Sequence, residues 1–153
     1  GLARQESRFI ADAKSSAGAS GLMQLLPSTA RRIAMIIGMK DFNKSRLGRP
    51  EVNAALGAYY LRHVLDGFGG NPALAAAAYN AGPGRARSWC DAKPLEGAIY
   101  IETIPFAETR QYVKKVMANT VYYAAVMGGD QRSLKSRLGT IEGAMAMKAE
   151  ADE

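Results

Sequence analysis

The chain has 153 residues, 48% of them hydrophobic and 22% charged, which is room for one compact domain with one core. Its +6 charge sits in the body: residues 1–130 hold 16 Lys and Arg against 10 Asp and Glu, whereas residues 131–153 hold 4 of each. A single cysteine, Cys90, and a single histidine, His63, exclude an internal disulfide and Cys-rich or His-rich metal clusters, so neither metal nor cofactor is expected. No apolar run nears the roughly 20 residues that cross a bilayer, and no Lys and Arg run has the density of a nucleic-acid-binding arm.

In chain order, Leu2 to Ile10 reads as a helix with no cap before it, behind neither an initiator methionine nor a signal peptide, as in a piece of a longer polypeptide. Pro27-Ser28 opens a short amphipathic helix, Thr29 to Ile37, with an apolar stripe at Ile33, Ile36 and Ile37 and a stop at Gly38. Pro50 stands at the first position of a longer helix over Glu51 to Phe68. Its stripe is Val52, Ala55, Leu56, Tyr59, Tyr60, Val64 and Leu65, and Gly69-Gly70 ends it. Asn71-Pro72 caps an alanine-rich helix over Ala73 to Tyr79, whose small side chains permit close packing.

A turn over Asn80 to Gly84 leads to a short helix around Arg85 to Cys90, and a long helix spans Phe106 to Met127 before Gly128-Gly129. Gly21 to Leu25 and Ile99 to Ile104 are short apolar runs suited to local strand pairing. Residues 131–153 form a tail with weak periodicity at Leu134, Leu138 and Ile141 and an Ala, Met and acidic end expected to fray. The fold class is mainly α, with the body over residues 1–130.

One carboxylate has a suggestive setting. Glu6 lies on an apparently apolar helix near Leu2, Phe9 and Ile10, and partial burial there raises a glutamate towards the range a general acid needs near neutrality. The structural alternative is a surface glutamate paired with Arg4 or Arg8.

Four segments in order decide between these: Glu6-Ser7-Arg8-Phe9; Ser16 through Gly21-Leu22-Met23-Gln24 to Pro27; Ala78-Tyr79-Asn80-Ala81-Gly82; and Glu102-Thr103-Ile104-Pro105 followed by Glu108-Thr109-Arg110-Gln111-Tyr112-Val113. Together they resemble the successive motifs of the soluble lytic transglycosylase family over roughly Leu2 to Gly129, and Leu134 to Ile141 looks like the segment that commonly follows that catalytic domain. One position departs: many members carry a second methionine where this chain has Leu26, which keeps an apolar wall.

The resemblance implies a fold similar to goose-type lysozyme, a helical domain with a substrate groove and a small β-hairpin near the Gly-Leu-Met-Gln motif. It implies peptidoglycan glycan strands as substrate, other cell-wall proteins as further partners, and a place in the bacterial periplasm or envelope, with outer-membrane association through sequence outside this chain. Glu6 would be the acid and then the base, cleaving the MurNAc-β-1,4-GlcNAc bond and leaving 1,6-anhydro ends.

By the same resemblance Ser7 would hydrogen-bond near Glu6 or the sugar, Met23 would form an apolar wall, and Gln24 would offer an amide. Tyr79 and Asn80 would meet the acetamido group or the ring, and Glu102 and Tyr123 would complete the substrate contacts. Met23 and Tyr79 have core roles as alternatives, Asn80 a turn role and Glu102 a loop-anchoring role, while spacing leaves open which of Tyr122 and Tyr123 faces the groove. A goose-type lysozyme hydrolysis, a non-catalytic wall-binding module and a basic nucleic-acid binder are the competing functions. A basic body steers any polyanion, nucleic acid, an anionic membrane surface or cell-wall polymer, and it is the resemblance that assigns the charge to the carboxylates of the wall.

Overall fold

A computed structural model describes residues 1–143. They fall into two compact units, one of residues 2–62 and one that begins at His63 and includes Gly1. The fold is mainly helical, as the periodicities require. The acidic, Met-rich stretch expected to fray lies, from residue 144 on, outside the described residues.

In the first unit, α1 (Leu2–Ser7) ends three residues earlier than the apolar run suggests. The Ser7 hydroxyl donates to the Ala3 carbonyl at 3.3 Å and accepts from the Phe9 amide at 3.1 Å, while Arg8 and Phe9 turn left-handed, with φ of 54° and 67°. That turn takes the backbone out of the helix, and Phe9 and Ile10 stand 55% and 53% exposed. They therefore do not continue the helical face that carries Glu6.

Residues 13–25 form a tight loop in which Lys14 bridges to Ser20 and Ser20 to Leu25. Ser20 and Leu25 exchange both backbone hydrogen bonds at 3.1 Å around the Gly21-Leu22-Met23-Gln24 turn. The expected hairpin is thus reduced to single bridges.

Pro27 opens α2 (Pro27–Ile36), and Gly38 at φ 72° closes it: the Met39 amide reaches the Ala34 carbonyl at 2.8 Å and the Gly38 amide reaches Met35 at 3.2 Å. The buried face of α2 is Ala30, Ile33 and Ala34. Ile36 and Ile37, expected on the stripe, are 57% and 39% exposed. A 3-10 turn over Lys44–Gly48, capped by Asn43, leads into α3 (Pro50–Asp66), whose residues up to Arg62 belong to this unit.

Asn53 of α3 organises the unit. It is 0% exposed, its Oδ1 accepts from the Met23 amide at 2.8 Å, and its Nδ2 donates to the carbonyls of Ser20 at 2.8 Å and Leu47 at 3.1 Å. One buried amide side chain so ties the motif loop, the 3-10 turn and α3 together. The approach is close enough to demand glycine twice: a Cβ on Gly21 would enter the Asn53 amide, and one on Gly57 would enter the Met23 side chain.

In the second unit, α4 (Pro72–Ala81) buries Ala73 through Ala78 and packs against α5 (Pro83–Ser88) and α7 (Ala107–Val126). Asn71 caps α4 as its sequence position predicts, accepting from Ala73 at 3.0 Å and Leu74 at 3.1 Å.

Ile99 to Ile104 is not a strand: α6 (Gly97–Thr103) covers all of it but Ile104, which follows the helix, and Tyr100, Ile101 and Ile104 are buried at helical spacing. The sheet lies elsewhere, where β1 (Leu95–Glu96) pairs antiparallel with β2 (Thr140–Ile141). Residues 134–141 belong to this unit through α8 (Leu134–Leu138), which contacts α4, α6 and α7, and through buried Leu138 and Ile141. No helix among the described residues is long and apolar enough to cross a membrane.

Candidate active site

Glu6 is the next-to-last residue of α1 and is half-buried. The hydroxyl beside it is engaged by backbone: Ser7 is 5% exposed and holds the α1 end to the left-handed turn. Ser7 therefore fixes the backbone on which Glu6 is mounted.

Gln24 is held in a rare conformation, φ 46°, by its own side chain, whose Nε2 donates to the carbonyls of Ala13 at 2.9 Å and Gly21 at 2.8 Å. Both amide protons are committed to the loop, which leaves the Gln24 carbonyl oxygen to act as an acceptor. Met23 is 8% exposed and lies against Gly57 in the core of the first unit.

In the second unit, Tyr79 is half-buried and Asn80 exposed on the last turn of α4, before Gly82 (φ 96°) leads into α5. The Thr109 hydroxyl, on a residue only 3% exposed, donates to Asn80 Oδ1 at 2.7 Å. That bond fixes the orientation of the Asn80 amide and leaves its NH2 as a donor, a polarity complementary to a carbonyl oxygen. Tyr123, half-buried, makes an edge-to-face contact with Tyr122 at 5.3 Å and 80°, while Tyr122 is 62% exposed.

Glu102 differs from Glu6. It is exposed, its Oε1 lies 2.6 Å from Lys114 Nζ, and that hydrogen bond holds its carboxyl below the usual carboxylate range, the nearby charges of Lys114 and Arg110 adding to the effect. A carboxylate kept ionised is poorly suited to giving a proton to a leaving group. The depressed value makes the pair's favourable contribution full above the ordinary glutamate value and lost as pH falls through the lowered one. Lys114→Met is expected to return the Glu102 titration towards 4.5, which carboxyl-carbon NMR across an acid titration checks. An unchanged Glu102 titration in that variant would separate the shift from Lys114.

Among the described residues Glu108 and Arg110, both near the start of α7, form no ion pair. Arg110 Nη1 instead donates to the carbonyls of Glu102 at 3.3 Å and Ile104 at 3.1 Å, fixing the α6 end on which Glu102 sits. Sequence reasoning also missed Asn53, Thr109 and Lys114. Asn53 carried a readable signal, a polar residue with Leu56, Gly57 and Tyr60 at i+3, i+4 and i+7 on an otherwise apolar face.

Comparison with known proteins places the chain in a class. The transglycosylase SLT domain model matches residues 1–99 and the soluble lytic transglycosylase helical domain model matches residues 103–132. The chain belongs to the transglycosylase SLT family.

Among relatives, it is 45% identical over 130 residues to a soluble lytic murein transglycosylase of Salmonella typhimurium, covering 83% of this chain and 20% of that protein. An inactive Glu-to-Gln variant of lytic transglycosylase Slt from Pseudomonas aeruginosa superposes with a TM-score of 0.85 at 42% identity, over 92% of this chain and 23% of that one. The 70-kDa soluble lytic transglycosylase in complex with bulgecin A gives 0.78 at 40% identity, over 85% and 22%. The chain thus spans about a fifth of the length of the relatives it matches.

Proposed function

We propose that the chain is the catalytic portion of a lytic murein transglycosylase of the bacterial envelope, cutting the MurNAc-β-1,4-GlcNAc bond of peptidoglycan and leaving 1,6-anhydro-MurNAc ends. The observation that carries the reading is family membership, joined to the position of Glu6 at the end of α1. The inactive Glu-to-Gln variant of a relative 42% identical fits a reaction that requires a glutamate.

In this scheme Glu6 protonates the glycosidic oxygen leaving C1 of the muramic sugar. The deprotonated Glu6 then takes the proton of that sugar's C6 hydroxyl as the oxygen closes on C1, so Glu6 ends protonated as it began. Most glycosidases need a second carboxylate as nucleophile or base. Here the substrate supplies its own nucleophile, tethered at high effective concentration, and its acetamido oxygen supports the positive charge at C1. Glu102, held ionised by Lys114, is unsuited to be the acid and is assigned to substrate contact.

Gln24 would accept from sugar hydroxyls, and Asn80, oriented by Thr109, would donate to the acetamido carbonyl. Tyr79 and Tyr123 would contact the sugar rings, Met23 would back the motif loop as its apolar wall, and Ser7 would position Glu6. Water must be kept from C1, since its attack would give hydrolysis. Mass analysis of purified sacculi digested by the protein tests the reaction directly. Products 18 mass units lighter than reducing-end fragments are expected. Reducing ends throughout would assign a lysozyme-type hydrolysis instead.

A further inference from the structure

The C-terminal end of α2 presents apolar side chains to solvent. Met35 and Ile36 close the helix 70% and 57% exposed, Ile37 follows at 39%, and among the described residues nothing lies within 4 Å of where a Cβ on Gly38 would stand. Met39 and Phe42, both half-buried, continue this apolar surface as a shallow groove flanked by Arg31 and Lys40.

The outward side of α2 is graded along its axis. Ala30, Ile33 and Ala34 take the core-facing side, which leaves Arg31, Arg32, Met35 and Ile36 facing out. Arg31 and Arg32 stand four residues before Met35 and Ile36, so the cations lie one turn, about 5.4 Å, behind the apolar tip on the same ridges.

The charge around the tip is one-sided. Residues 31–49 carry Arg31, Arg32, Lys40, Lys44, Arg46 and Arg49 against Asp41 alone. Asp41 is held by Arg46, and Arg49 reaches Glu51 at 3.2 Å, so among the described residues Arg31, Arg32, Lys40 and Lys44 have no carboxylate partner.

This pattern selects among occupants. A second copy packed tip to tip would bring Arg31, Arg32 and Lys40 against their own kind, a like-charge contact that costs affinity. A soluble polyanion would use the cations and leave Met35, Ile36 and Ile37 in water. The interface of an anionic bilayer uses both: apolar groups enter it by about 5–10 Å while cations one turn back stay level with the phosphates, their long stems covering the step. No helix among the described residues is long and apolar enough to cross a membrane, so the contact is peripheral.

We propose that the end of α2 and the turn after it, Met35 to Lys40 with Arg31 and Arg32 behind them, dock the first unit on an anionic phospholipid surface. The contact goes beyond the transglycosylase reading and does not depend on it.

Sedimentation with vesicles tests it. The chain is expected to pellet with vesicles of phosphatidylglycerol and phosphatidylethanolamine, less so as salt rises, and to stay in solution with phosphatidylcholine alone. Arg31→Gln with Arg32→Gln should lower the partition coefficient about thirtyfold, roughly fivefold per charge removed. Met35→Gln with Ile36→Gln should lower it about tenfold at unchanged charge. All four side chains are exposed and lie outside the proposed catalytic and sugar contacts, so thermal midpoints and cleavage of soluble glycan strands should match wild type.

No pelleting with the anionic vesicles would overturn the proposal. So would pelleting that the arginine pair weakens and the Met35, Ile36 pair does not, the mark of a general polyanion surface, and so would pelleting that both double variants retain. Dimers in solution that dissociate in Met35→Gln with Ile36→Gln, without vesicle binding, would assign the tip to self-association instead. Vesicle docking with the expected losses, in a chain that cleaves no glycan, would uphold the lipid contact and sink only the transglycosylase reading.

Discussion

Glu6→Gln is expected to lower kcat by about ten-thousandfold or more on peptidoglycan strands while leaving glycan affinity within a few-fold of wild type. One positioned general acid or base contributes roughly a hundredfold to ten-thousandfold, and in the proposed scheme Glu6 serves both half-reactions. Glutamine keeps the shape and hydrogen-bonding capacity of the side chain but neither releases nor collects the proton.

The loss should therefore fall on kcat, the signature of an interaction made in the transition state. The change leaves the Ser7 hydrogen bonds that end α1 intact, so the thermal midpoint should move little. Single-turnover kinetics on purified strands, with binding of the strands by calorimetry as a reading independent of turnover, check this. Glu102→Gln is the control: a residue assigned to substrate contact should leave cleavage readily measurable. Full wall binding with no cleavage by either wild type or variant would make the chain a binding module, and persistent turnover in Glu6→Gln would remove Glu6 from the mechanism.

The local chemistry of particular residues explains which parts of this fold were legible in the sequence. Helices α2, α3, α4 and α7 announce themselves because punctuation and period agree: Pro27 and Pro50 start two of them, Asn71 caps a third, and glycines follow the ends of all four. The apolar run at Ile99 to Ile104 is too short for its period to choose between strand and helix, and burial of Tyr100, Ile101 and Ile104 decided for helix. In α2, ranking by hydrophobicity favoured Ile36 and Ile37, but packing buried the small Ala30 and Ala34 beside Ile33.

The motif residues were found through their order in the chain, whereas the groups that hold them were not. Thr109 and Lys114 act across 29 and 12 residues of sequence, on Asn80 and Glu102 respectively, and a linear reading has no means of pairing them. The early end of α1 has a local cause, the Ser7 hydroxyl capturing the Phe9 amide, which is visible only once the backbone conformation at Arg8 and Phe9 is known.

The largest effect on stability is expected away from the reacting groups. Asn53→Ala removes the partners of one buried amide and two backbone carbonyls at once, those of Met23, Ser20 and Leu47. Each buried polar group stranded without a partner costs about 1–3 kcal/mol, with partial relief if water enters the cavity, so a net loss of about 3–4 kcal/mol is expected. For a chain of this size that is a fall of about 6–16 °C in the thermal midpoint.

Asn53→Asp is the sharper test because it preserves volume. The introduced carboxylate still accepts from the Met23 amide but faces the Ser20 and Leu47 carbonyls with no proton to donate, so at neutral pH it should match or exceed the alanine loss. Burial and the two carbonyls raise its folded-state value above the unfolded one. Stability relative to wild type should then be recovered as pH falls through the raised value and lost again as pH rises through it. Thermal melts of the three proteins from neutral to mildly acidic pH read the effect. A midpoint in Asn53→Asp that tracks wild type at every pH would show that the loop, the 3-10 turn and α3 hold together without this amide.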